Sequence, residues 1–174
     1  MNIYILDHPP ISGTMTEVPF NAVGECLWVH FDPDDDDAWV GVFGMDSPVT
    51  APVAVLTTPP VACIGAGWDT YMVNYHTRQL LGQITDLYTI GALPLPAYGW
   101  FLLWDVCEFR VVTPDGTTVW ISERVSWDGL RNIHLVDGDI HGEAWSPSWD
   151  GSWTAFTLDP QTGAVSGGSY PQEC

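Results

Sequence analysis

A chain of 174 residues with 46% hydrophobic residues and 10 Trp is long enough to close one hydrophobic core and too aromatic to remain unfolded. Its 22 Asp and Glu stand against four Arg (Arg78, Arg110, Arg124, Arg131) and no Lys, a formal charge of −18. That balance repels nucleic acid and anionic membranes; it suits basic proteins, cations or positively charged ligands, or serves solubility alone.

The N-terminal MNIYILDHPP carries no basic region and no long apolar run, so it does not read as a secretion signal. No stretch reaches the ~20 apolar residues of a membrane span. The expectation is a single cytoplasmic domain over residues 1–174. Cys26, Cys63, Cys107 and Cys174 are widely spaced, with no CxxC pair. They read as reduced and mostly buried thiols, Cys174 being the most exposed.

Asp32, Asp34, Asp35, Asp36 and Asp37 form the densest charge run. Five carboxylates in six residues repel one another, so they are either solvated or neutralised by a partner. The alternation at 32, 34 and 36 resembles the start of an EF-hand calcium loop. However, Asp37 stands where Gly is needed and Phe43 where Glu is needed. No cofactor is expected.

Short Val-, Ile-, Thr- and aromatic-rich segments between Gly and Pro predict strands. Residues 53–64 (VAVLTTPPVACI) read as strand, turn, strand, with Pro59 and Pro60 at the bend. Gly65 and Gly67 mark a tight turn or bulge. They lack the third glycine of a dinucleotide fingerprint. Residues 76–88 are the one helical candidate, with poor apolar spacing. Residues 100–112 predict one or two buried strands, and 117–125 another. Four Asp-Gly pairs (115–116, 128–129, 137–138, 150–151) supply the positive φ angles of tight turns, so part of the Asp content is structural.

The segment 132–143 (NIHLVDGDIHGE) folds on paper as a hairpin turning at Asp137–Gly138. His134 then faces His141, Leu135 faces Ile140, and Val136 faces Asp139. Ile133, Leu135 and Ile140 point to the core, and both imidazoles to the other face with Asp139. His134, His141, Asp139 and Glu143 are thus the candidate metal ligands, with no firm third ligand beside the imidazoles. Trp127, Trp145, Trp149 and Trp153 crowd one turn-rich stretch. Trp127 with Asp128, and Trp149 with Asp150, are candidate anchors for a cationic surface; otherwise they staple loops onto the core. GxSxG and GxxxxGK[ST] are absent.

The chain also echoes itself. MVNYHTRQLLG (72–82), VVTPDGTTVW (111–120) and TLDPQTGAVSG (157–167) each join two apolar segments through a polar turn, at spacings suited to propeller blades. LDPQTGAV (158–165) resembles the turns of quinoprotein-type propeller blades. SWDGLR (126–131), HGEAWSP (141–147) and WTAFTLDPQTGAVSGGSY (153–170) resemble a group of small bacterial proteins with no assigned activity. The fold expected is all-β: an antiparallel sandwich or meander of short hairpins, or a propeller-like set of about four blades.

Two functions are open. One is an acidic interaction module that neutralises a basic partner, such as the immunity protein of a bacterial toxin. Its surface would be Asp32, Asp34, Asp35, Asp36, Asp37, Trp127, Asp128, Trp149 and Asp150, with no catalytic residue. The other is a metal-dependent small-molecule-binding protein or hydrolase using the His134/His141 hairpin. A dimeric scaffold is a third possibility, opposed by self-repulsion.

Overall fold

The computed structural model describes residues 1–34, 37–46, 51–148 and 151–171. Asp35, Asp36, Trp149, Asp150 and Cys174 lie outside the described residues.

Sixteen described strands form four four-stranded sheets. The first holds β1 (Asn2–Leu6), β2 (Thr16–Phe20), β3 (Cys26–Asp32) and β4 (Trp39–Gly44), in the order β1-β3-β4-β2, with β2 parallel to β4. The other three are antiparallel meanders in chain order. The second sheet is β5 (Val53–Leu56), β6 (Val61–Ala66), β7 (Asp69–Asn74) and β8 (Gln79–Ile84). The third is β9 (Gly91–Leu95), β10 (Trp100–Trp104), β11 (Phe109–Val112) and β12 (Thr118–Ile121). The fourth is β13 (Leu130–Val136), β14 (Asp139–Trp145), β15 (Trp153–Leu158) and β16 (Val165–Gly167).

The chain is therefore all-β, and it takes the four-blade arrangement rather than that of two facing sheets. The expected helix near 76–88 is a turn followed by β8. Asn74 is the cause: its Oδ1 accepts from the N–H groups of His76 (3.1 Å) and Thr77 (2.9 Å), closing an Asx turn. Arg78 then takes a positive φ of 61°, which no helix continues through.

The three echoing segments are one element repeated, the turn between third and fourth strands in the second, third and fourth sheets. The carboxylate of Asp159 closes its turn as Asn74 does, accepting from Gln161 N (2.7 Å) and Thr162 N (3.2 Å).

Neighbouring sheets stack face to face. Phe31, Trp39 and Phe43 meet Ile64, Tyr71 and Val73 between the first and second sheets. Leu56, Val61 and Met72 meet Phe101, Leu103 and Val112 between the second and third. Leu102, Phe109 and Val111 meet Ile140, Phe156 and Leu158 between the third and fourth. Because the second sheet is covered on both sides, β6 is buried at all six positions and reads as a continuous apolar run, not an alternating one. Among the described residues no apolar cluster joins the first sheet to the fourth.

The strands also have a common inside and outside. β5 and β9 approach each other at one end of their sheets. At the other, Asn21 after β2 donates to Gln83 Oε1 in β8 at 2.6 Å. So β1, β5, β9 and β13 form one rim and β2, β8, β12 and β16 the opposite one.

Candidate functional site

A surface concavity of about 770 Å³ lies on the face of the fourth sheet turned away from the third. His134, Val136, His141, Glu143, Ala155 and Thr157 line it, with others. The expected hairpin builds it: His134 pairs with His141, Leu135 with Ile140, and Val136 with Asp139. Asp137 and Gly138, at φ of 53° and 98°, make the left-handed turn that Asp-Gly permits. Ile140 is fully buried, as expected for the core face, but Leu135 is 41% exposed. It lies on β13, an edge strand with a neighbour on one side only.

The two imidazole rings lie 6.0 Å apart. His134 Nδ1 is 2.6 Å from the carbonyl oxygen of Asn132, and His141 Nδ1 is 3.5 Å from Thr157 Oγ1. Glu143 shares their face but is already held: it accepts from Arg131 Nε at 2.9 Å and Asn132 Nδ2 at 2.6 Å. These bonds, the Arg131 one foremost, hold its carboxyl below the usual glutamate range. Asp139 stands exposed at the hairpin tip. Among the described residues no three His, Cys, Asp or Glu side chains gather closely enough to hold a metal ion.

Sequence spacing alone misplaces Arg131. Three residues before His134, it belongs on the opposite face of a regular strand. A β-bulge corrects this. The register shifts between Arg131 and His134, and Asn132 takes a φ of 55°. Arg131 thus joins the imidazole face, with its guanidinium 4.0 Å above the Trp153 ring. The extra residue, Ile133, packs on the other face over Gly142, whose missing Cβ leaves room for Ile133 and Phe156.

The candidate anchors fall in two separate places. Asp32, Asp34 and Asp37 are exposed around the end of β3 and the approach to β4. The N-terminal ammonium of Met1 contacts Asp34, and Arg78 Nη2 donates to the Asp37 carbonyl at 3.2 Å. The first 46 residues hold nine of the 22 acidic residues and none of the four Arg. Every described carboxylate among them is exposed.

Trp127 and Asp128 lie in the connection between the third and fourth sheets. Trp127 is 39% exposed but engaged: its ring is 4.8 Å from Tyr170, with Arg124 over both. Arg124 also donates to Ser126 O (2.9 Å) and Trp127 O (2.6 Å). That is how an aromatic staples a loop.

No protein-family model and no curated protein matches the chain. Solved structures match it in fold. Hydrazine synthase of Kuenenia stuttgartiensis is 13% identical with a TM-score of 0.60, over 92% of this chain and 52% of that one. BamB from Moraxella catarrhalis is 13% identical with a TM-score of 0.55, over 97% and 51%. A eukaryotic initiation factor is 11% identical with a TM-score of 0.54, over 95% and 41%. The chain spans about half the length of these structures or somewhat less. At such identities the likeness is one of fold: the four sheets are blades of the propeller type.

Proposed function

We propose that this chain is an acidic interaction module that binds a basic protein through the exposed carboxylates of its first blade. The observation that carries this reading is the segregation of charge in residues 1–46, where nine acids and no Arg or Lys occur and all the described acids face solvent. Such a surface accelerates encounter with a cationic partner and rejects anionic ones. The finer form of the proposal is an immunity protein covering the cationic substrate surface of a bacterial toxin, acting in the cytoplasm. A metal-dependent hydrolase at the His134/His141 hairpin draws less support, since Glu143 is committed to Arg131 and Asn132.

The test is kinetic. A basic partner recovered from the host is measured against the wild-type chain and against the triple variant Asp32→Asn, Asp34→Asn, Asp37→Asn. The expected result is an on-rate that falls about tenfold or more in the variant and has a shallower salt dependence. Equal on-rates, unchanged by salt, would sink the reading.

A further inference from the structure

His134 on β13 and His141 on β14 stand directly across from each other, and both line the concavity of the fourth blade. We infer that the pair binds one divalent ion of the zinc, nickel or copper type through the Nε2 atoms of both rings, with the remaining coordination positions open to the concavity. The site is distinct from the hydrolase reading, because it uses neither Glu143 nor Asp139 and carries no catalytic step.

Proton position points to Nε2. A carbonyl oxygen can only accept, so His134 Nδ1, 2.6 Å from the Asn132 carbonyl, holds the ring proton and donates it. In the neutral ring Nε2 is then the nitrogen with the lone pair. Metal-bound histidines are held in this way, by a carbonyl, carboxylate or water at the other nitrogen. His141 Nδ1 has the Thr157 hydroxyl as its acceptor, at 3.5 Å. Among the described residues no hydrogen bond engages the Nε2 of either ring.

Distance permits one shared ion. An ion about 2.0–2.1 Å from a ring nitrogen lies about 3.2 Å from that ring's centroid, so two rings can share it up to about 6.4 Å apart. These centroids are 6.0 Å apart. A tetrahedral angle at the ion needs about 5.2 Å, a closure that a turn of the exposed His134 ring supplies.

Charge and donor type decide which ion. Glu143 and Arg131 neutralise each other, so neither competes for the ion nor repels it strongly. Two neutral imidazoles select late first-row ions, whereas magnesium and calcium prefer the oxygen donors spread over this acidic chain. An ion here would tie β13 to β14 next to the turn at Asp137–Gly138. The inference is independent of the basic-partner reading, which rests on the first blade.

The experiment titrates the full chain with zinc chloride in a large excess of magnesium chloride, so that magnesium occupies the carboxylates. Long-range nitrogen NMR follows the histidine rings, and calorimetry follows affinity. About one equivalent of zinc is expected to shift Nε2 of His134 and His141 together while His134 Nδ1 keeps its proton. His134→Asn and His141→Asn are each expected to weaken binding at least tenfold, and His8→Asn to leave it unchanged. The ring shifts are read on the wild-type chain, so they stand whether or not a variant folds. Zinc that shifts neither ring, or only one, overturns the inference. So does an affinity that survives both hairpin substitutions, because the ion then sits on carboxylates. No partner is present in the titration, so its outcome is separate from that of the on-rate test.

Discussion

The indole N–H of Trp39 in the first blade donates to the backbone carbonyl of Tyr75 in the second at 3.0 Å. Trp120 in the third blade makes the same bond to Pro160 of the fourth at 3.1 Å. Tyr75 and Pro160 each follow the Asn74 or Asp159 whose side chain closes the turn. The repeated turn thus shapes the chain locally and presents a carbonyl to the preceding blade.

Losing that bond is expected to destabilise the fold in proportion to burial. Trp39 is fully buried and stacked on Phe31 at 4.2 Å. Trp39→Phe leaves the Tyr75 carbonyl unpaired and is expected to cost about 2–3 kcal/mol. Trp120 is half-buried, so water can replace its bond, and Trp120→Phe is expected to cost about 1 kcal/mol. Urea unfolding of both variants checks the order; a Trp120 variant that loses more than the Trp39 variant contradicts it.

Close approach of blades predicts a second pair. A Cβ on Gly82 would lie 1.9 Å from the backbone oxygen of Asp115 in the third blade. A Cβ on Gly142 would meet the ends of the Ile133 and Phe156 side chains at 2.5 and 2.7 Å. Overpacking costs about 1–3 kcal/mol. Gly82→Ala is expected at or above the top of that range, because backbone cannot step aside. Gly142→Ala belongs nearer the bottom, and midpoints of thermal unfolding should rank them so.

Glu143 gives a pH prediction. Its carboxyl is held below the usual range by Arg131 and Asn132. A depressed folded pKa contributes stability that is present above the unfolded value and lost as pH falls through the folded one. The ion pair should therefore persist through the ordinary glutamate range and dissolve only in stronger acid. Carbon-detected NMR titration is expected to place the Glu143 midpoint below that of a free glutamate. Arg131→Gln should move it upward; no movement would show that the pair does not hold the carboxylate.

Thiol reactivity should separate the cysteines. Cys63 is fully buried, and burial pushes its thiol far up from the usual value. Cys26 and Cys107 are half-buried, and the three are unpaired with one another. In the folded chain an aromatic disulfide reagent is expected to modify Cys26 and Cys107 at least a hundredfold faster than Cys63. Peptide mapping by mass spectrometry reads the order, and fast labelling of Cys63 would contradict the burial.

Local chemistry was legible in the sequence. Asp137–Gly138 determined the hairpin register, since only residues tolerating positive φ make that turn and side chains alternate from there. Strand-forming runs between Gly and Pro determined an all-β chain, and the echoing turns its repeat. What only tertiary structure decided depends on contacts distant in sequence. Stacking settled four blades over two facing sheets, because apolar runs such as VACIGA suit any strand buried on both sides. The bulge at Asn132 moved Arg131 to the imidazole face, which a regular two-residue alternation cannot foresee. The segregation of acids was visible in order along the chain. That the described acids of the first blade all face solvent required the fold.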